Sequence, residues 1–296
     1  MLEFKEITMA DQDWTTQLMR AGGLRGSEYT FANLFNWSAT YTVRIARFED
    51  FMIARSGTER VHYLYPAGQG DFAGALNAMQ ADAASLDMPF AMYGIPEQGV
   101  DKIEQLYPGR FKFTPVRDNF DYLYSRESLA TLAGKKLHGK RNHINRFVEA
   151  YPDWRYEPLT EKNIADAKAM NAEWCKQNGC FDKHSSLHRE ACAVRSAFRH
   201  FFEQALVGGV LYAGGKAVAF TFGSPVTDDT FVVHVEKAFS DIQGAYPMIN
   251  QQFVKNALAP YEFVNREDDL GEEGLRRAKE SYRPVMMYER YAAAEK

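Results

Sequence analysis

Side chains able to move protons or hold anions gather in three stretches of this 296-residue chain. The first is Thr230–Phe239 (TFVVHVEKAF), which carries His234 and Glu236. Two apart on a strand, they share a face, with Val233 and Val235 on the other. A carboxylate beside an imidazole fixes its tautomer and favours its protonated form, so the pair suits a base and its orienter. It also suits the solvent side of an edge strand. The second stretch is Asn265, Arg266, Glu267, Asp268 and Asp269. One aspartate is expected to cap the helix that follows. Capping does not need five polar residues in succession, so Asn265 and Glu267 are expected to reach a site. Three acids together also suit a divalent cation, but no metal is assigned.

The third stretch is Gly134–Phe147 (GKKLHGKRNHINRF), with Lys135, Lys136, Lys140, Arg141 and Arg146 and no acid before Glu149. Read as a helix, it places Leu137, Ile144, Val148 and Tyr151 on one apolar face. Its cations fall on the remaining faces as a basic ridge. Such a ridge suits a nucleotide cofactor, an RNA backbone or anionic lipid headgroups, and is equally the pattern of a solvated helix face. Gly139 is costly inside a helix, by roughly 1 kcal/mol against alanine, and hints at a bend or a close approach. Gly244, Ala245 and Tyr246 open a later helix directly after a strand, where backbone amides and the helix dipole can meet a pyrophosphate. Arg276 and Lys279 are neighbours on the last helix. With Lys136, Lys140 and Arg141 they form the set expected to clamp a donor's phosphates, against the alternative of pairing with Glu272, Glu273 and Glu280.

Composition narrows the class. Hydrophobic residues at 46% and charged residues at 25% describe an ordinary globular chain. The net charge of -4 makes any polyanion site local. No run of about 18 apolar residues exists, so no spanning helix is expected. The acidic, unsignal-like N-terminus reads as cytoplasmic. Cys175, Cys180 and Cys192, even with His184 and His188, match no zinc spacing and read as buried or reduced thiols.

The elements that must position these residues follow from periodicity and turn signals. A helix opened by Ser27 is expected over 27–37, and strands over 42–55 and 61–65. A helix capped by Asp71 leads to strand 89–95, helix 97–107 and strand 111–124. After the basic helix come strand 154–158, a helix capped by Thr160 and stopped by Gly179, and a helix over 186–207 ended by Gly208-Gly209. The glycine pair Gly214-Gly215 joins a hairpin. Strand 230–239, the helix with Pro247 in its first turn, strand 261–265, helix 270–282 and strand 284–291 complete the chain. Strand, strand, helix, strand, helix, strand occurs twice, over 52–124 and 210–291, without visible sequence similarity. The expectation is an α/β (α+β) protein of two GNAT-like domains, 1–127 and 128–296, each a mixed central sheet flanked by helices. The second is expected to carry the site.

Three blocks also carry a resemblance: Lys135–Phe147 (KKLHGKRNHINRF), His234–Lys237 (HVEK), and Asn265–Tyr282 (NREDDLGEEGLRRAKESY) with Pro284. Together, in this order, they resemble the bacterial family named for the C-terminal domain of phosphatidylglycerol lysyltransferase. The likeness covers roughly residues 25–290. It implies a tandem GNAT-like fold and relatives that move an aminoacyl group from aminoacyl-tRNA to a lipid headgroup. This chain departs from those relatives in lacking their membrane-embedded part, which puts lipid as acceptor and tRNA as donor in doubt. Three functions follow as expectations. The first is a transferase of aminoacyl or acyl groups to an amine or hydroxyl, with His234 or Glu236 as base. The second is an acetyl-CoA-dependent N-acetyltransferase of a small molecule. The third is a non-catalytic module that binds RNA or, peripherally, anionic lipid. Acceptor and oligomeric state are left open.

Overall fold

A computed structural model describes residues 2–183 and 185–296. In chain order the strands are β1 (Lys5–Glu6), β2 (Arg44–Phe48), β3 (Phe51–Ser56), β4 (His62–Leu64), β5 (Ala67–Gly68), β6 (Ala91–Ile95), β7 (Phe111–Pro115), β8 (Asp121–Ser125), β9 (Arg155–Pro158), β10 (Val207–Ala213), β11 (Lys216–Pro225), β12 (Thr230–Ala238), β13 (Phe263–Asn265), β14 (Met286–Tyr288) and β15 (Tyr291–Glu295). The helices are α1 (Gln12–Gly22), α2 (Phe31–Tyr41), α3 (Phe72–Ser85), α4 (Glu97–Leu106), α5 (Arg126–Thr131), α6 (His138–Ala150), α7 (Ile164–Asn178), α8 (Ser186–Arg199), α9 (Ala245–Ala257) and α10 (Glu273–Glu280).

The strands form two mixed sheets flanked by helices. The 8-stranded sheet runs β1-β2-β3-β4-β6-β15-β7, with β5 on β3; the 7-stranded sheet runs β14-β8-β13-β12-β11-β10-β9. Read inward from β1 and from β9, the two follow one plan. Each begins with antiparallel neighbours, reaches a parallel pair (β4 with β6, β12 with β13), and ends in two more antiparallel strands. In each sheet the strand next to the far edge comes from the other half of the chain. β15 lies between β6 and β7, and β8 lies between β13 and β14. Two strands therefore sit across the division expected at 127/128.

The cores interlock in the same way. Tyr122 and Tyr124 of β8 are buried among the residues of the C-terminal core, and Ala293 of β15 is buried in the N-terminal one. Arg290, directly before β15, contacts Asp121 at the start of β8 and lies 2.9 Å from Glu28. The crossing of the exchanged strands is thus pinned by a buried cation among carboxylates.

Several expected boundaries move. Thr30, not Ser27, caps α2, through the Asn33 amide at 3.1 Å, because residues 27–29 first make a 3-10 turn. Asp71 caps α3 as expected, accepting from the Gly74 amide. Thr160 does not cap α7; its own amide is held by Asn163 Oδ1 at 2.8 Å, and the helix begins at Ile164. Gly208 and Gly209 lie within β10, where Tyr156 packs so closely on Gly209 that a Cβ would overlap its ring. In the β10–β11 hairpin Gly214 and Gly215 both have positive φ, as its two-residue turn requires. On α6 the buried residues are Ile144 and Phe147, with Leu137 before them, while Val148 is exposed. The stretches 111–124 and 284–291, each read as one strand, both break and cross between sheets.

Candidate active site

The site forms where the parallel pair parts. Pairing between β12 and β13 stops at Val232 and Asn265, although β12 runs on to Ala238. Residues 266 and 267 instead stay bonded to β8, through Arg266 N to Tyr122 O and Tyr122 N to Glu267 O. Into this gap project His234 and Glu236 from one side and Arg266 and Glu267 from the other. A β-bulge aims the histidine. Phe222 faces Val235 and Gly223 faces Val233, so His234 is the residue without a cross-strand partner. A Cβ on Gly223 would lie 1.8 Å from Val232 O, so the close approach of strands at the bulge needs glycine.

His234 is held at both ring nitrogens. Its Nδ1 lies 2.9 Å from Glu267 Oε1, and its Nε2 lies 2.8 Å from the hydroxyl of Ser224 on β11. Glu267, and not Glu236, is therefore the carboxylate in contact with the imidazole. Its backbone is left-handed, φ 56°, and the Asn265 side chain stabilises that turn by accepting the Glu267 amide at 2.7 Å. The Asn265 amide group donates in turn to Asp121 Oδ2 and Arg25 O. Asn265 is fully buried and positions Glu267 without reaching the gap itself.

Glu236 is engaged elsewhere. It accepts from Arg266 at 2.7 Å and from Asn250 of α9 at 2.8 Å. Sequence and structure differ here because Arg266, only 12% exposed, needs a buried counter-charge, and Glu236 is the carboxylate facing it. Burial opposes the Arg266 charge, but Glu236 outweighs it and holds the guanidinium firmly protonated. Tyr282 carries Arg266 at 4.7 Å and Lys140 at 4.1 Å from its ring centre. Burial, and then the neighbouring Arg266, push the Lys140 ammonium down to about 8, against the pull of Glu236.

The expected phosphate clamp is mostly dispersed. Arg276 grips Asp269 through two nitrogens at 2.9 Å and reaches Asp118 at 2.7 Å. Lys279 is buried, its ammonium on the carbonyls of Arg266 and Asp268, and burial lowers its pKa. It holds the 266–268 loop from behind. Arg141 turns back onto the carbonyls of Leu132 and Gly134. Lys136 is exposed, as are Lys135, His138, His143 and Arg146, so the basic ridge on α6 is real but faces solvent. A cavity of about 260 Å³ lies beside it, lined by His138, Arg141, Asn142, Ile144, Asn145 and Gln251.

Nor does the start of α9 make an open amide cradle. Ala245 is buried and its amide donates to Ile242 O, and Pro247 has none. A Cβ on Gly244 would lie 2.3 Å from His143 O, so that glycine lets α6 and α9 touch. Tyr246 stands half-exposed after it.

The acids of the second stretch point apart. Glu267 meets His234, Asp269 meets Arg276, Arg117 and Tyr122, and Asp268 faces the Arg290 cluster at 3.9 Å. No group of three His, Cys, Asp or Glu among the described residues is arranged for a metal ion. Cys175 and Cys180 are buried thiols and Cys192 an exposed one; His184 lies outside the described residues. Sequence reasoning missed two members of the site. Arg266 stood in plain view within a polar run. Ser224, one hydroxyl ending an apolar strand, becomes visible only once the register of β11 on β12 is known.

The comparisons agree with this architecture. The family model for the C-terminal part of phosphatidylglycerol lysyltransferase matches residues 20–294. A conserved protein of unknown function from Bacteroides thetaiotaomicron is 42% identical, covers 100% of both chains, and superposes with a TM-score of 0.96. The C-terminal domain of a putative lysylphosphatidylglycerol synthetase from Agrobacterium fabrum has the same fold at 16% identity, TM-score 0.70, over 97% of this chain and 92% of its own. A tandem GNAT protein from the clavulanic acid biosynthesis pathway shares the fold at 9% identity and TM-score 0.50, over 100% of this chain and 98% of its own. An uncharacterised protein of Mycoplasmoides gallisepticum is 24% identical over 174 residues, 58% of this chain, and the match spans 54% of that relative's length. The fold is thus the tandem GNAT-like one, and among the described residues no helix is long and apolar enough to cross a membrane.

Proposed function

The chain belongs to the family of the C-terminal part of phosphatidylglycerol lysyltransferase, and on that premise we propose that it is a transferase. It moves an aminoacyl or acyl group from an activated donor to an amine or hydroxyl acceptor. The observation that carries this reading is the Ser224–His234–Glu267 chain in the gap between β12 and β13. That gap opens at the carboxyl end of β13, where its parallel pairing with β12 stops, and open α/β sheets accept ligands at such carboxyl-end crevices. A base oriented by a carboxylate is what acyl transfer to a weakly acidic nucleophile needs. His234 is the base and Glu267 its positioning residue. Arg266, kept charged by Glu236, is placed to offset charge developing on the carbonyl oxygen.

The donor favoured is of the aminoacyl-tRNA type. The Agrobacterium fabrum relative is named as the C-terminal domain of a lysylphosphatidylglycerol synthetase, and the exposed cations of α6 and of the turn before it suit a phosphate backbone. Lys136 and Lys140 are the residues of the expected clamp still free to take part. The alternative is acetyl-CoA-dependent N-acetylation, for which the tandem GNAT relative speaks and the poor amide supply at the start of α9 speaks against. A non-catalytic RNA- or lipid-binding module would use the same ridge and ignore His234.

A thermal-shift screen against CoA, acetyl-CoA, deacylated tRNA and anionic vesicles separates these. Ligand at about a hundred times its Kd stabilises by nearly 3 kcal/mol. The expected result is a shift with tRNA that fades with salt and is lost in Lys136→Ala/Lys140→Ala. A salt-resistant shift with CoA would replace the tRNA donor by acyl-CoA. Silence from all four would remove both donors.

A further inference from the structure

We infer that Ser224 is the first acceptor of the transferred group, so that transfer passes through an acyl-serine on β11. This rests on the transferase reading and adds a covalent step to it. The hydrogen-bond directions carry the argument. An ionised Glu267 can only accept, so the Nδ1 of His234 bears the hydrogen. In the neutral ring the remaining lone pair is on Nε2, and Ser224 Oγ, 2.8 Å away, donates to it. Both ring nitrogens are occupied. An incoming acceptor amine finds neither free, and the proton His234 takes without breaking the chain is that of Ser224. Nucleophile bonded to base and base bonded to carboxylate is the arrangement that activates a serine.

The β-strands build this contact deliberately. The bulge that leaves His234 unpaired falls beside Gly223, one residue before Ser224. A regular ladder would give His234 a cross-strand partner of its own. Burial helps as well: Ser224 is 8% exposed and the His234 side chain 10%, so water competes little for either.

The chemistry balances. Ser224 Oγ attacks the carbonyl carbon of the donor ester or thioester as its proton passes to His234 Nε2, and Glu267 stabilises the imidazolium. Collapse of the tetrahedral species breaks the bond to the donor oxygen or sulfur, which leaves with the proton returned by His234. The acceptor amine or hydroxyl then attacks the acyl-serine and gives its proton to His234. That proton returns to Ser224 Oγ as the ester bond breaks.

The test needs no knowledge of the donor. The intact protein is treated with a fluorophosphonate, which captures base-activated serines, and the adduct is mapped by mass spectrometry. One adduct on Ser224 is expected, absent in Ser224→Ala and slower by about 10²-fold or more in His234→Ala. An unlabelled folded wild type, or labelling at an undiminished rate in His234→Ala, would overturn the inference. If Ser224→Ala does not fold, Ser224→Cys takes its place, with His234-dependent alkylation of Cys at position 224 by iodoacetamide expected. In a second arm, charged tRNA and acetyl-CoA are added without acceptor, and an acyl adduct on Ser224 is expected from one of them. Phosphonylated Ser224 with no acyl adduct from either supports the reactive serine and removes the donors proposed above. Transfer at the wild-type rate in folded Ser224→Ala overturns the covalent step and leaves the transferase standing.

Discussion

The two halves share one strand plan but differ in what fills the gap past their parallel pair. In the C-terminal half that gap holds Ser224, His234, Glu267, Glu236 and Arg266. In the N-terminal half, beyond the pairing of β4 with β6, the hydroxyl of Tyr29 lies 3.2 Å from Tyr65 O and 3.1 Å from Gly94 O. Tyr29 is 1% exposed, and Glu28 packs against Gly94, whose φ of 67° and lack of a side chain make the room. One gap is sealed by a tyrosine and the other is lined with proton-transfer groups. A parallel pair that separates leaves carbonyls without strand partners, and a fold must either stopper that opening or put it to use.

The contrast can be broken in several ways. Removing the base should have the largest effect: His234→Ala should slow transfer by about 10²–10⁴-fold, measured with whichever donor the screen identifies. Its melting temperature should change far less than its rate. Next comes the pin between the halves. Arg290→Met leaves Glu28, Asp121 and Asp268 without their shared cation and should cost about 3–5 kcal/mol in chemical denaturation. The loss should appear in one cooperative transition, because each sheet contains a strand of the other half.

The same cluster makes stability depend on pH. Burial, with Asp121 nearby and Arg290 opposing, pushes both Glu28 and Asp268 up to about 7. Between the ordinary carboxylate range and pH 7 the folded state binds more protons than the unfolded one. Stability should therefore fall as pH rises through that window and level off above it, by at most about 1.4 kcal/mol per unit for each group. Glu28→Gln should flatten the slope measured by denaturation between about pH 5 and 7. Smallest is the stopper itself: Tyr29→Phe removes one buried hydroxyl, at about 1–2 kcal/mol, and should leave the transfer rate unchanged. A rate loss in Tyr29→Phe would show that the two gaps communicate.

Much of the fold was legible because period and punctuation speak locally. Asp71 before α3, Gly214-Gly215 in the hairpin and the recurring element order all announced themselves, and the duplicated α/β plan followed. The exchange of strands did not. Residues 111–124 and 284–291 read as continuous strands because aromatic and apolar residues flank both sides of the short polar breaks at Arg117–Asn119 and Glu289-Arg290. Only tertiary pairing says which sheet each piece joins. The site was half legible for the same reason. His234 and Glu267 stood out as polar residues in strand-like surroundings, but their partnership spans 33 positions. Spacing alone favoured Glu236, two residues away, while the buried guanidinium of Arg266 claimed it. Arg276 and Lys279 looked like phosphate ligands by charge. Their partners, Asp269 and two loop carbonyls, are set by packing that charge patterns do not report.

The placement of β15 has a consequence for how the molecule comes into being. The N-terminal sheet has an empty slot between β6 and β7 until residues 291–295 have been synthesised. Until then the facing edges of those two strands are unpaired, and nascent chains on crowded ribosomes present them to one another. The N-terminal half cannot finish folding as it emerges, unlike most leading domains. Closure waits on a contact of very long sequence separation, a slow kind of step. A second chain could fill that slot with its own β15, so the exchange that locks the monomer together also offers a ready route to a swapped dimer.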